Sequence, residues 1–167
     1  YKSGILDKSE FNTSNIWNVK KHLCYTNKIR KHINESISEK IEGDFLQIYE
    51  DSSNKYSQDI KIHIGTPIMS VKNNKALEIY NNQEFTIDSW NEENIKILYE
   101  NKTDTINIPI SRFSKDFVIS YALTTHKSQG ATFDFPYSIW ETQKMTNRML
   151  YTAVTRTTNK DLITICL

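Results

Sequence analysis

Two kinds of hydrophobic pattern alternate along the chain. After a short apolar run at residues 22–25, isoleucine recurs at every fourth position, which is typical of one face of a helix. These isoleucines are Ile29, Ile33, Ile37 and Ile41. Thr26 and Asn27 can cap the start of the helix, and Gly43 can end it. The segment therefore predicts one β-α unit of an α/β sheet.

From residue 60 to residue 113 the pattern changes to short alternating runs. Apolar and polar residues alternate in IKIHIGTPIMSV, and EFTIDSW, NIKILYE and TINIPI follow as further strands. Asparagine pairs at 73–74 and 81–82 suit left-handed turns, and Pro67 favours an edge position or a bulge. Short strands with a turn about every ten residues predict a small β-barrel. Residues 51–54 mark its entry and residues 111–116 its exit.

The α/β pattern then returns. Residues 117–123 form a nearly continuous apolar run, as in a strand buried in a parallel sheet. A strand, a helix that Asn159 can cap at its C-terminus, and a final strand are predicted after it, at residues 137–140, 142–157 and 162–167.

These elements predict an α/β protein interrupted by a β insertion. The predicted parts are a first α/β part, an inserted β-barrel and a second α/β part, at residues 1–59, 60–113 and 114–167. A chain of 167 residues can hold one core with a smaller inserted module. Its 38% hydrophobic and 25% charged residues exclude a disordered chain.

Charge and cysteine content limit the function classes. The net charge is only +1, so nucleic-acid binding would need local clusters such as residues 20–22 and 28–32, which also suit a solvated helix face. Cys24 and Cys166 lie in apolar runs, which predicts buried free thiols in an intracellular, reducing compartment, cytoplasm or nucleus. The histidines lack ligand spacing, and no apolar stretch approaches membrane-spanning length, so we predict neither a metal site nor a membrane partner.

Two segments are candidates for chemistry. THKSQG, residues 125–130, follows the apolar run FVISYAL, at a strand end where ligands gather in open α/β sheets. Backbone N–H groups, hydroxyls and Lys127 can together face an anion there, although an ordinary strand-to-helix corner would look similar. In YTAVTRTT, Arg156 can reach a phosphate across an interface or simply complement the helix dipole.

Together the two segments are more specific. FVISYALTTHKSQGATFD followed by RMLYTAVTRTTNKDLITI resembles the closing motifs of superfamily 1 helicases, in the RecD-like, 5′-to-3′ branch (superfamily 1B). LCYTNKIRKHIN is similar to an earlier strand-helix motif of that family, and HIGTPIMSVKNN…YNNQEFTI to its inserted barrel, with Asn82 where glycine is frequent. The resemblance covers about residues 23–165. It implies a RecA-like parallel sheet flanked by helices and interrupted by a small Src-homology-3-like β-barrel.

The resemblance also implies an ATP-dependent helicase. ATP would bind between this domain and a first motor domain, and Arg156 would be the catalytic arginine finger on the γ-phosphate. The other residues expected at the nucleotide are Gln129, Gly130, Tyr25 and Asn27. The sequence contains no G-x-x-x-x-G-K-[ST], so we expect the P-loop and the Mg²⁺ ligands on the first motor domain of a longer protein. This chain alone is then expected not to hydrolyse ATP.

The resemblance further implies that the domain binds single-stranded nucleic acid, DNA in preference to RNA. The residues expected to bind it are Thr124, Thr125, His126 and Lys127. Tyr80, Phe85 and Trp90 can stack on bases, but a core position is favoured for each. Two other functions stay open: an RNA-directed viral helicase, and a non-catalytic nucleic-acid-binding module that kept the fold.

Overall fold

The computed structural model describes residues 19–99 and 103–166. These residues form two compact units, the described parts of Tyr1–Arg30 with Ala122–Leu167, and of Lys31–Tyr121. The predicted bounds at residues 60 and 114 stay a prediction. The strands are β1 (Lys21–Cys24), β2 (Leu46–Ile48), β3 (Ile60–Ile62), β4 (Pro67–Ser70), β5 (Glu84–Trp90), β6 (Asn94–Tyr99), β7 (Thr105–Pro109), β8 (Phe117–Ile119), β9 (Ala122–Thr124), β10 (Tyr137–Ile139) and β11 (Ile163–Ile165); the helices are α1 (Asn27–Ser38), α2 (Ile110–Asp116) and α3 (Asn147–Val154).

The first unit is built on a four-stranded parallel sheet in the order β11-β10-β1-β9. All residues of these four strands are buried. Both faces of a parallel sheet are covered, so even polar side chains of these strands, such as those of Lys21, His22 and Ser138, are buried. The α/β fold class is therefore confirmed.

The apolar run at residues 117–123 is two strands, not the single one predicted. β8 pairs antiparallel with β4, whereas β9 pairs parallel with β1. Ser120 lies between them, and its N–H donates to the Pro67 carbonyl at 2.9 Å. A continuous apolar run indicates burial, but it does not specify which strand is the partner.

Helix α1 begins where predicted and ends early. The Thr26 hydroxyl accepts a hydrogen bond from the Ile29 N–H at 3.3 Å, which confirms the N-terminal cap. The helix ends at Ser38, whose hydroxyl donates to the Lys61 carbonyl at 2.5 Å. The prediction that it continues through Ile41 to Gly43 is therefore wrong.

Helix α3 is shorter than predicted. The Thr146 hydroxyl accepts from the Met149 N–H and fixes the start of the helix, while residues 142–144 form a separate 3₁₀ turn. Asn159 does not cap its C-terminus, because its side chain accepts from the Asp161 N–H and begins another 3₁₀ turn.

The second unit contains a five-stranded antiparallel sheet in the order β7-β6-β5-β4-β8, and a separate antiparallel pair of β2 and β3. Strand β4 is internal, so the edge position or bulge predicted for Pro67 is wrong. Pro67 is instead the first residue of the strand, another position that tolerates a missing N–H. Residues 111–116, which the sequence marks as the exit from the insertion, lie in helix α2. Whether this sheet is a Src-homology-3-like barrel stays a prediction.

The core of this unit is built from isoleucine and phenylalanine. Phe85 is buried there as expected, and Trp90 packs against the core, but Tyr80 is 64% exposed, so its expected core position is wrong. Asn82 adopts a φ of 68°, the left-handed turn conformation that the sequence predicts.

The predicted buried, free cysteines are confirmed for both Cys24 and Cys166. Burial raises the pKa of both thiols, that of Cys166 to about 11, so both stay protonated at neutral pH. Among the described helices, none has the length and apolarity needed to cross a bilayer.

Candidate nucleotide and nucleic-acid site

The candidate site begins where β9 ends. Residues 125–130 form consecutive tight turns, and no helix follows them directly. The Lys127 N–H donates to the Thr124 carbonyl at 2.8 Å, and the Ala131 N–H to the Ser128 carbonyl at 3.0 Å. Gly130 has a φ of +91°, a conformation that side chains disfavour. The segment is therefore a strand-to-turn corner and not the ordinary strand-to-helix corner that the sequence left open as an alternative.

Buried hydroxyl groups hold this corner in place. The Thr125 N–H and hydroxyl both donate to the Cys24 carbonyl, at 2.9 and 3.3 Å, and this joins the corner to the end of β1. The Ser128 hydroxyl donates to the Thr125 carbonyl at 2.8 Å. Because these hydroxyls are buried and already bonded, they position the corner and leave its exposed side chains, His126 and Gln129, to meet a ligand.

Arg156 lies directly beside the corner. It follows the last residue of α3 by two positions, and its Nε donates to the Thr152 carbonyl at 2.8 Å. Its Nη1 donates to the carbonyls of Ser128 and Ala131, at 3.3 and 3.0 Å. The guanidinium group is therefore bonded to the corner on both sides of Gln129 and Gly130. The side chain therefore both caps the helix end and bridges it to the corner.

In the described part of the chain, the hydrogen-bond partners of the Arg156 side chain are neutral oxygens. In residues 19–99 and 103–166, no carboxylate lies within ion-pair distance of its guanidinium group. Nη2 donates to the Thr155 hydroxyl at 3.2 Å, so four hydrogen bonds engage a group with five N–H donors. A half-buried guanidinium held only by neutral oxygens retains its full attraction for a phosphate.

Tyr137 sets the position of the helix end that carries Arg156. Its buried hydroxyl donates to the Ala153 carbonyl at 2.8 Å and lies 3.3 Å from that of Val154. Burial raises the pKa of this phenol, although the nearby charge of Arg156 opposes the shift. The Phe133 N–H donates to the Arg156 carbonyl at 2.6 Å. Sequence reasoning missed Tyr137, because its position in an apolar strand predicts only a core side chain.

Tyr25 and Asn27 lie at the carboxyl end of β1. Tyr25 is 38% exposed, and the Asn27 side-chain oxygen accepts from the Arg30 Nε at 3.0 Å. Between them, the Thr26 N–H and hydroxyl both donate to Glu141 Oε2 at 2.9 Å. The other carboxylate oxygen of Glu141 pairs with Lys144 Nζ at 2.8 Å.

Glu141 is the second residue that sequence reasoning missed. It is buried in a left-handed backbone conformation, with a φ of 59°. Burial alone would raise the pKa of its carboxyl, but hydrogen bonds from Lys144 and Thr26 outweigh burial and lower it. A carboxylate two residues after a strand has no distinctive sequence signal, because its partner is 115 positions away.

The structure brings only some of the predicted residues together. Arg156 adjoins Gln129 and Gly130, and Thr125 adjoins the strand that leads to Tyr25. Among the described residues, no hydrogen bond joins Tyr25 or Asn27 to Arg156. The described ranges also contain no cluster of three or more His, Cys, Asp or Glu side chains placed to hold a metal ion.

Comparison with known proteins shows what this part of the chain resembles. Residues 119–163, which include the corner and Arg156, match the UvrD-like helicase C-terminal domain family. This part of the chain is therefore similar to a helicase C-terminal domain.

The chain is also similar to the RecBCD enzyme subunit RecD of Buchnera aphidicola from Acyrthosiphon pisum. The two are 32% identical over 99 residues, which are 56% of this chain and 16% of the relative. The fold is similar to that of a Pif1 helicase studied in DNA unwinding at forked dsDNA, with a TM-score of 0.73 and 21% identity over 95% of this chain and 41% of the other. It is also similar to Bacteroides Pif1 bound to ssDNA, with a TM-score of 0.66 and 19% identity over 95% and 43%. These likenesses show a RecA-like fold. The chain spans less than half of each of these proteins.

Proposed function

We propose that this chain is the second motor domain of an ATP-dependent superfamily 1 DNA helicase that moves 5′ to 3′. The observation that carries the proposal is the position of Arg156. Its guanidinium group has no carboxylate partner among the described residues and bonds to both sides of the exposed Gln129–Gly130 corner. The similarity to RecD supports the 5′-to-3′ branch, and the matched family supports the helicase class.

In this proposal Arg156 is the arginine finger. ATP and Mg²⁺ are bound mainly by a P-loop motor domain elsewhere in the longer protein, because the 167-residue sequence contains no P-loop motif. Arg156 then stabilises the negative charge that develops on the γ-phosphate oxygens. A Bacteroides Pif1 of similar fold has been crystallised with ADP-AlF3 and ssDNA, which agrees with a nucleotide site in this fold.

The exposed part of the corner contacts the nucleic-acid strand. His126 is exposed and Lys127 half-exposed, so their side chains are the direct contacts. Thr124 and Thr125 are buried and act by fixing the position of the corner that carries His126 and Lys127. Contacts to phosphates give affinity without sequence preference, as a motor that moves along any sequence requires.

One series of hydrogen bonds joins Arg156, the proposed ATP contact, to the corner that is proposed to contact the nucleic-acid strand. It runs from the Cys24 carbonyl through Thr125 and Ser128 to Arg156. A change in the position of Arg156 on ATP hydrolysis would therefore move the corner that holds the strand, and such a link is what a translocating motor needs.

The experiment is an ATPase assay of the longer protein with single-stranded DNA or RNA of equal length. We expect stimulation by DNA to exceed stimulation by RNA, and we expect the 167-residue chain alone to show no turnover. Stronger stimulation by RNA would instead indicate an RNA helicase. Absence of ATPase activity in a correctly folded longer protein would indicate a non-catalytic binding module.

A further inference from the structure

A second concave site lies within the antiparallel unit, and none of its residues belongs to the site described above. It is a cavity of about 360 Å³ between helix α2, the end of β7 and the loop after β4. This volume falls in the range of pockets that bind small ligands or side chains, about 300 to 1,000 Å³.

The floor of the cavity is apolar and mostly aliphatic. Ile79, Ile108 and Phe117 are buried beneath it, and the half-buried Leu77 and exposed Pro109 form its walls. These surfaces can remove an apolar side chain of a ligand from water.

The rim of the cavity is basic. Lys72, Lys75 and Arg112 line it with their exposed side chains. Asp116 pairs with Lys72 at 3.6 Å and with Arg112 at 2.9 Å, and Asp51 lies near enough to be influenced by the charge of Lys72. Three cations around one lining carboxylate are a local excess in a chain whose total charge is +1.

The loop that forms one wall is held in a fixed shape. The backbones of Asn74 and Ile79 exchange two hydrogen bonds, at 2.8 and 3.0 Å. The Asn74 side chain accepts from the Leu77 N–H, and the Asn73 side chain accepts from the Asn81 N–H at 2.7 Å. A preformed wall reduces the entropy that a ligand must lose on binding.

We propose that this cavity binds a short acidic peptide segment of a partner protein, with an aliphatic or aromatic side chain in the cavity and carboxylates at the rim. The basic side chains at the rim favour acidic residues of the peptide, and the apolar floor of the cavity favours its aliphatic or aromatic side chain. A nucleic-acid strand fits less well, because bases bind by stacking on exposed aromatic rings, and the one aromatic ring lining the cavity, Phe117, is buried. The inference does not depend on the proposed motor function.

The test is fluorescence anisotropy of a labelled peptide, DDELF, titrated with the 167-residue chain. We expect saturable binding that weakens as salt is raised from about 50 to about 500 mM, because salt screens the rim charges. Lys75→Glu should weaken binding about five- to tenfold, since Lys75 is exposed and makes no ion pair among the described residues. Lys55→Glu, an equal change at an exposed lysine outside the cavity, should leave binding unchanged.

Variants of the peptide test the two halves of the site separately. DDESS lacks the apolar side chains and NNQLF lacks the carboxylates, and we expect each to bind at least about tenfold more weakly than DDELF. The proposal is overturned if DDELF shows no binding up to about 1 mM, or if Lys75→Glu and Lys55→Glu have equal effects. It is also overturned if a labelled oligothymidylate, and not the peptide, responds to Lys75→Glu, because the cavity would then be a nucleic-acid contact.

Discussion

Acid should destabilise the parallel-sheet unit through His22, a histidine in β1 that is only 1% exposed. Its Nδ1 lies 2.6 Å from the Ser138 hydroxyl, and the Trp140 indole N–H donates to that same hydroxyl oxygen at 2.8 Å. Because an indole N–H can only donate, the serine hydrogen remains available to Nδ1. The indole N–H also lies 3.3 Å from Nδ1, so an unprotonated Nδ1 suits both neighbouring donors, and protonation of His22 at this atom would disrupt the arrangement.

The size of the effect follows from the pKa of His22. Burial, aided by the positive charge of Lys21, lowers that pKa from 6.5 to about 4. Between these values the unfolded chain binds a proton at His22 and the folded chain does not, so stability is full above pH 6.5 and is lost as the pH falls toward 4. At about 1.4 kcal/mol per pKa unit, the loss between pH 7.5 and pH 5 is about 2 kcal/mol.

The assay is urea unfolding followed by circular dichroism at pH values from about 5 to about 7.5. His22→Asn is the matched variant, since its side-chain oxygen can accept from Ser138 but cannot be protonated in this range. We expect the wild-type free energy of unfolding to fall by about 2 kcal/mol more than that of the variant. Parallel pH profiles for the two proteins would refute the assigned role of His22.

Three further substitutions test the contacts that shape the candidate site, each by its free energy of unfolding. Tyr137→Phe removes the hydroxyl that bonds to the end of α3 and should lower the free energy of unfolding by about 1 to 2 kcal/mol. The control Tyr151→Phe, at an exposed tyrosine, should lower it by less than about 0.5 kcal/mol. Equal losses in the two variants would contradict this role of Tyr137. Glu141→Ala leaves the Thr26 N–H without its carboxylate acceptor and should cost about 1 to 3 kcal/mol, whereas Glu141→Gln keeps an acceptor and should cost less. Equal costs would show that the charge, which both variants lose, dominates over the hydrogen bond. In Gly130→Ala the added methyl group meets no atom within 4 Å, but alanine must adopt a φ of +91°. We expect this backbone strain alone to lower the free energy of unfolding by about 1 kcal/mol. An unchanged free energy of unfolding would rule that strain out.

Local sequence patterns predicted where helices and strands lie better than they predicted which strands pair with each other. The fourfold spacing of isoleucines located α1, and continuous apolar runs located the buried strands, because burial leaves a direct trace in the sequence. The same run at residues 117–123 could not show that β8 joins an antiparallel sheet while β9 joins a parallel one. That choice depends on strands distant in sequence.

The candidate site shows the same limit. Arg156 and residues 125–130 could be predicted, because their residue types suit phosphate binding and their order resembles a known family. The bonds from Arg156 to the Ser128 and Ala131 carbonyls could not, since they depend on where α3 ends. Glu141 and Tyr137 were missed because each acts on a backbone group that no sequence pattern marks.

The most direct test of the account is the turnover number for ATP of the longer protein carrying Arg156→Ala, measured with saturating single-stranded DNA. Arg148→Ala is the control, because Arg148 is an exposed arginine on helix α3, and thermal melting shows that each variant is folded. We predict that Arg156→Ala lowers the turnover number about a thousandfold or more, that Arg156→Lys restores little of it, and that Arg148→Ala leaves it unchanged. Wild-type turnover in a folded Arg156→Ala protein would contradict the central role of this guanidinium.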